Sequence, residues 1–315
     1  MRKDIKVAQL IKLQDYISRY EMDISRYPAQ FVRLKKQHWE SLVKEWESPT
    51  VYHQADDTNE EKQKGGILFR LFRKKEKDEE VVVVEENDET IQLNSLHEIA
   101  TKAELKQKFL DNLLKFQLNW ASSTIAEKSF IDSQYYEDKK IRYFLQRFPD
   151  SFFVLYEPVF LLKKAPVELE VLLITPTEIW CLAFVEEEEN DSFIGSKEHF
   201  WLVKSNNREE FKVLNPVMSA KRMEKIVTQL FKIGTVDLPI RKAIVSRNGY
   251  IDYPDAPDDL EILDKRSYDQ WFQRMRSSTT PIKMMQLRAA KTLLDQCHTI
   301  SFTRPDWNQE SNVEY

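Results

Sequence analysis

The chain predicts an α/β protein, with α+β left open, built on a central mixed sheet flanked by helices. Three observations predict it. Apolar strand-like runs alternate with amphipathic helical runs through the middle of the chain. Two of those strands, Val167–Ile174 and Ile179–Phe184, are separated only by the turn Thr175-Pro176-Thr177. Helical spacing dominates both ends. With 315 residues, 42% hydrophobic and 31% charged, the chain can bury one sizeable core and a smaller helical unit.

Residues 1–47 predict a helical hairpin. Val7, Leu10, Ile17, Tyr20, Ile24 and Tyr27 form one apolar seam, and Pro28 interrupts it while suiting the first turn of a second helix. Phe31, Leu34, His38, Leu42 and Trp46 make a similar stripe on that second helix. Such a hairpin either packs on the rest of the protein or docks a partner, a second copy of the chain included. Residues 48–94 have the polar composition of a charged, flexible linker. Within it, residues 67–77 interleave Ile67, Leu68, Leu71 and Phe72 with Arg70, Arg73, Lys74 and Lys75. That pattern suits an anionic membrane surface or a nucleic acid, but the acidic run from Glu76 to Glu89 would neutralise it locally.

Residues 95–134 predict a helical region, opened by Ser95 and Glu98 as a capping box and continued by Leu105, Phe109, Leu113, Phe116 and Trp120. A further helix follows through Ile141, Phe144, Leu145 and Phe148. The strand-like run Phe152–Leu162 contains Pro158, which implies an edge position or a bulge. Beyond the hairpin, Phe200–Val203 reads as a strand, Pro216 to Phe231 as a helix, Ile240–Val245 as a strand and Asn248-Gly249 as a turn. Residues 251–315 then supply two amphipathic helices, Tyr268–Met275 and Met284–Leu294, and a polar tail.

Several chemistries find no support. The five histidines show no paired ligand spacing, and five glycines provide no phosphate-binding loop. Cys181 sits in a predicted buried strand, and two cysteines in all suit a reduced compartment. A net charge of −5 exerts no global pull on nucleic acid. No apolar run approaches the ~20 residues of a membrane helix, so no transmembrane segment and a cytoplasmic location are expected.

Residues 135–250 carry a set of landmarks in order. An acid opens a helix (Asp138 or Glu137, with Asp138 placing Ile141 and Leu145 on apolar positions). Glu168-Leu169-Glu170 and the strand Glu178–Val185 follow, then Trp201, Asn215-Pro216 and Ser219. This stretch resembles the NERD (nuclease-related) domain family, whose second strand reads Gly-Ile-Phe-Val-Ile-Glu-Val-Lys and whose last helix opens Asn-Pro-x-x-Gln. The resemblance implies a restriction-endonuclease-like core in which strand carboxylates hold a divalent cation and a lysine orients water. It aligns Glu170 with the family's strand acid, Ala183 and Val185 with the lost Glu and Lys, and Ser219 with the Gln. A methyl group cannot ligate Mg²⁺, and an isopropyl group cannot orient hydroxide.

The expected function is therefore that of a pseudo-nuclease: a non-catalytic nuclease-related module, without cofactor, serving interaction or regulation through a protein partner. Two alternatives stay open. One is a divergent Mg²⁺-dependent nuclease with a rearranged site, in which Glu170 and Asp138 would hold the metal and Glu187 would supply a relocated acid. The other is a nucleic-acid or membrane-surface adaptor working through residues 67–77. Five carboxylates in Glu186–Asp191 disfavour a polyanionic substrate.

Overall fold

The computed structural model describes residues 5–47, 99–162 and 165–304. The expected linker with its basic segment 67–77, and the Ser95–Glu98 capping box, lie outside the described residues. The chain divides into two compact units, residues 1–28 with 117–315, and residues 29–116.

The N-terminal seam is not a helix. Gln9–Leu13 forms strand β1, followed by a single helical turn α1, Arg19–Met22. All five residues of β1 are buried, Lys12 included. A strand covered on both faces loses the alternation that would identify it, and its apolar residues then mimic helical spacing. The Lys12 ammonium is satisfied by Glu21 at 2.5 Å, the Tyr16 carbonyl at 2.7 Å and Thr299 at 2.8 Å. Val7, Leu10, Ile17, Tyr20, Ile24 and Tyr27 of that seam are all buried.

Pro28 does occupy the first turn of a helix, α2, Tyr27–Glu47. The partner of α2 is not the N-terminal segment but α3, Lys102–Trp120. Phe31 stacks on Phe116 at 6.4 Å, Trp39 meets Phe109 at 5.2 Å, and Trp46 Nε1 donates to the Ile99 carbonyl at 2.9 Å. Low numbers on α2 thus meet high numbers on α3, so the pair is antiparallel.

In the larger unit, the two-residue strand β2, Glu127–Lys128, precedes helices α4, Gln134–Glu137, and α5, Lys139–Arg147. Strand β3, Phe153–Tyr156, is then cut off by Glu157, which adopts a left-handed backbone (φ 50°), and by Pro158. At Pro158 the run ends and restarts in another sheet, in place of the expected edge position or bulge. Beyond it β4, Val159–Leu162, pairs with β5, Ala165–Glu168, as a separate two-stranded sheet. The expected single strand Val167–Ile174 is consequently two strands. Its second half is β6, Val171–Ile174, which pairs antiparallel with β3 and with β7, Ile179–Phe184. The cause lies opposite the break: Glu157 N–H donates to the Glu170 carbonyl at 2.7 Å, and Leu169 N–H to the Pro158 carbonyl at 3.0 Å.

Strands β8, Ser192–Ile194, β9, Phe200–Lys204, and β10, Phe211–Leu214, form a smaller sheet that later gains β12, Tyr250–Asp252. Helix α6, Pro216–Gly234, crosses over to β11, Ile240–Val245, which runs parallel to β7. Strand β13, Leu260–Leu263, completes a six-stranded mixed sheet of order β1-β3-β6-β7-β11-β13. Helices α7, Tyr268–Ser277, and α8, Met284–Leu294, follow, and β14, Phe302–Thr303, pairs with β2. No described helix is long and apolar enough to cross a membrane.

An aromatic layer joins α5 and α7 to one face of the large sheet. Phe148, fully buried, meets the rings of Tyr143, Phe144, Phe152, Trp271 and Phe272 at 5.4–6.3 Å. Trp271 in turn meets Trp180 of β7 at 5.5 Å, and Phe184 meets Phe144 at 5.9 Å. Removing the Phe148 ring leaves a cavity that rigid neighbours cannot close. Phe148→Ala should therefore destabilise the protein by about 3–5 kcal/mol in a urea melt. A loss below about 1 kcal/mol would show that this layer does not anchor the sheet.

Candidate functional site

Side chains alternate along a strand, so β7 sorts its residues between two environments. Trp180 and Phe184 face α5 and α7 through the ring contacts above, which places Leu182 with them. Cys181 faces the other way. Its neighbour across the ladder, Lys242, reaches Glu224 of α6 at 2.6 Å, and the Cys181 thiol, pushed up by burial, feels both of those charges. Ala183 and Val185 share the parity of Cys181. Both are buried, Ala183 completely, on the face covered by α6.

Asp138 lies on the opposite face. Its Oδ1 caps α5 by accepting from the Lys140 amide at 2.7 Å and the Ile141 amide at 3.1 Å. Its Oδ2 accepts from the Tyr156 hydroxyl at 2.7 Å. Tyr156 pairs with Val171, and Val171 with Leu182, so all three point to the α5 face. Lys140 belongs there too, its ammonium 4.5 Å from the Phe184 ring. The structure thus separates Asp138 from Ala183 and Val185 by the thickness of the sheet. The strand residues that Asp138 does face are Leu182 and Phe184.

The other candidates are also accounted for. Glu170 Oε2 accepts from the Phe184 amide at 2.8 Å, just outside the end of β6. Glu168, on β5, belongs to the separate two-stranded sheet. Ser219 lies half-buried in the first turns of α6. Asn215 caps that helix by accepting from the Val217 amide at 3.0 Å and donates to the Ser196 and Glu198 carbonyls. Trp201 is fully buried and donates to the same Ser196 carbonyl at 3.0 Å. Glu187 is exposed and paired with Arg208 at 3.1 Å. Among the described residues, no group of three His, Cys, Asp or Glu side chains converges well enough to hold a metal ion.

The acidic loop differs from a bare run of carboxylates. Glu186 binds Arg247 bidentately at 2.5 and 2.7 Å, Arg208 bridges Glu187 and Asp191, and Lys265 reaches Glu189 at 3.3 Å. Burial pushes the Asp191 carboxyl up, but hydrogen bonds from Ser205, Arg208 and the Glu188 amide outweigh it and hold it below the usual carboxylate range. Three cations therefore offset much of the charge that the sequence suggested would repel a polyanion.

Sequence reading missed a cluster of hydroxyls and acids at the break between β3 and β4. The Tyr135 hydroxyl donates to Glu157 Oε2 at 2.8 Å, beside the Tyr156–Asp138 pair. Burial raises Glu157, and the neighbouring Glu168 and Asp138 carboxylates add to the rise, while the bond from Tyr135 and the Lys140 ammonium counter it. Burial and the same acids push the Tyr135 and Tyr156 hydroxyls well above the usual phenol range. The two phenols of the cluster are held protonated and act as donors to its acids.

A raised folded-state value means that Glu157 favours the fold most below the unfolded carboxylate range, and that this contribution is lost as pH rises through the folded value. Glu157→Gln keeps an acceptor for Tyr135 and removes the titration. Its melting midpoint should exceed that of the parent at about pH 8, and the difference should shrink to nothing near about pH 4. An advantage that persists unchanged in acid would remove burial of the charge as its cause.

No family model and no solved structure matches the chain. It is similar to an RNA 2',3'-cyclic phosphodiesterase of Geobacillus stearothermophilus, 34% identical over 118 residues. The matched stretch is 35% of this chain and 36% of the relative, so the chain spans little more than a third of that protein.

Proposed function

We propose that the chain is a non-catalytic, nuclease-related domain of the NERD type that acts as an interaction or regulatory module for a protein partner. One observation carries this reading. On the sheet face that presents Asp138, β7 offers Leu182 and Phe184, and both Asp138 oxygens are engaged, by the α5 cap and by Tyr156. β7 therefore contributes there neither the carboxylate nor the lysine that the resemblance asks of it, and among the described residues no three His, Cys, Asp or Glu side chains converge to hold a metal. Removing one proton-transfer group already costs about 10²–10⁴ in rate.

The restriction-endonuclease-like core is the fold reading that this proposal includes. In its support, the chain runs helix α5, meander β3-β6-β7, helix α6 and parallel strand β11. The buried Trp201 and the Asn215-Pro216 start of α6 fall where the resemblance asks for them. The adaptor alternative rests on residues 67–77, outside the described residues.

The test is an assay of the purified chain with Mg²⁺ or Mn²⁺ on plasmid, linear and single-stranded DNA, and on RNA ending in a 2',3'-cyclic phosphate. No turnover is expected on any of them. Turnover lost in Asp138→Ala or Glu170→Ala would overturn the reading in favour of a rearranged nuclease. Turnover on the cyclic phosphate alone would assign to this chain the activity for which the Geobacillus relative is named.

A second expectation concerns the positions that the resemblance aligns with the lost pair. Ala183→Glu with Val185→Lys buries two charges against α6, and unpaired buried charge costs several kcal/mol. The double variant should melt markedly lower and gain no nuclease activity, since its new carboxylate points away from Asp138. An unchanged midpoint would mean that these positions are not enclosed.

A further inference from the structure

The aromatic layer opens, beside α5 and α7, into a cleft of about 450 Å³. That lies within the ~300–1,000 Å³ of small-molecule sites. Its walls combine Tyr143, Tyr268 and Phe272 with the guanidinium groups of Arg147, Arg247 and Arg276. Arg147 and Arg247 both lie 4.9 Å from the Tyr143 ring, and Arg276 lies 5.8 Å from Phe272. The Tyr268 and Phe272 rings are nearly parallel, 9° apart.

The three arginines are not equivalent. Arg247 is engaged by Glu186 through two side-chain hydrogen bonds and serves as a fixed wall. Arg147 and Arg276 have no carboxylate in salt-bridge range among the described residues, although Asp269 also lines the cleft. Two guanidinium forks therefore line the cleft together with one carboxylate and the half-buried Tyr143 ring. The Tyr143 and Tyr268 rings meet at 6.2 Å, tilted by 48°.

We propose that this cleft binds a small ligand carrying a phosphate group attached to a planar ring, of the nucleoside monophosphate class. Arg147 and Arg276 grip the oxyanion, for which a planar fork of donors is suited. The half-buried Tyr143 ring takes the planar part, and its contact with Phe148 holds it in place. The site does not rest on the nuclease-related reading, because it uses none of Asp138, Glu170, Ala183, Val185 or Ser219.

Calorimetric titration of the full chain with adenosine monophosphate, inorganic phosphate and adenosine tests the proposal. The monophosphate should bind at least about tenfold more tightly than either fragment, and its affinity should fall as salt rises. Arg147→Ala and Arg276→Ala should each weaken it about tenfold or more. Tyr143→Phe keeps the ring and should weaken it less than Tyr143→Ala does. No heat at millimolar monophosphate, or affinity indifferent to both arginine substitutions, overturns the proposal. Equal affinity for inorganic phosphate removes the ring from it, and equal affinity for adenosine removes the phosphate. Arg147 is exposed, so Arg147→Ala should leave the circular-dichroism melt unchanged and decides alone if Arg276→Ala fails to fold.

Discussion

The left-handed turn at Glu157, locked by Pro158, governs the arrangement of everything around it. It ends β3 after four residues and hands the chain to β4, which leaves the plane of the large sheet. The opposing strand must break as well, and it does so at Leu169 and Glu170, each bonded through its backbone to the turn. A non-glycine residue at positive φ costs roughly 1–3 kcal/mol, so the surroundings must compensate. They do so through the Tyr135 hydroxyl on Glu157 and the Tyr156 hydroxyl on Asp138, which tie the turn to α4 and to the start of α5. The direction of α5 follows from that corner. The aromatic layer and the cleft follow from α5.

That constraint also explains which face of the sheet could have carried chemistry. With β6 beginning only at Val171, its register against β7 sets Val171 opposite Leu182. A one-residue slip would exchange Leu182 and Phe184 for Ala183 and Val185 in front of Asp138. The register observed puts small side chains beneath α6, where helix and sheet approach closely, and large ones beneath α5. Burying the Ala183 methyl under α6 and the Phe184 ring under α5 is a packing solution on both faces. Among the described residues no three His, Cys, Asp or Glu side chains converge to hold a cation on either face.

Much of this was legible in the sequence where the cause is local. The turn Thr175-Pro176-Thr177, the Asn215 cap with Pro216 behind it, and the helices through Ile141–Phe148, Tyr268–Met275 and Met284–Leu294 each follow from neighbouring residues, and each is present. Three features were not legible, for one physical reason. The strand character of Gln9–Leu13 depends on cover from both sides, and the break at Leu169 depends on Glu157 in another strand. The partner of α2 is α3, on the far side of the expected linker, where no periodicity points. The candidate site was half legible: Asp138 and Glu170 stand out as acids at the right spacing, but the face each residue takes is a matter of register, which only pairing decides. Tyr143, Arg147, Arg247 and Arg276 come from α5, the segment after β11, and α7. No window of sequence contains them together.

The acidic loop shows how misleading formal charge can be at such a corner. Read along the chain, Glu186–Asp191 is a block of negative charge at the mouth of β7, set in a protein of net charge −5. Folded, its first member holds Arg247 bidentately and carries that guanidinium to within 4.9 Å of the Tyr143 ring. The other acids of the loop that pair are taken by Arg208 and Lys265. The exposed pairs among them, Arg208 with Glu187 and Lys265 with Glu189, add little stability. Their greater effect is on the local field, since a carboxylate already paired repels an approaching anion far less than a free one. With Arg247 paired in place, the charges left lining the cleft are those of Arg147 and Arg276 against Asp269, two positive against one negative. A loop that, taken alone, argues against anions is therefore the element that fixes one wall of the cleft proposed to receive one.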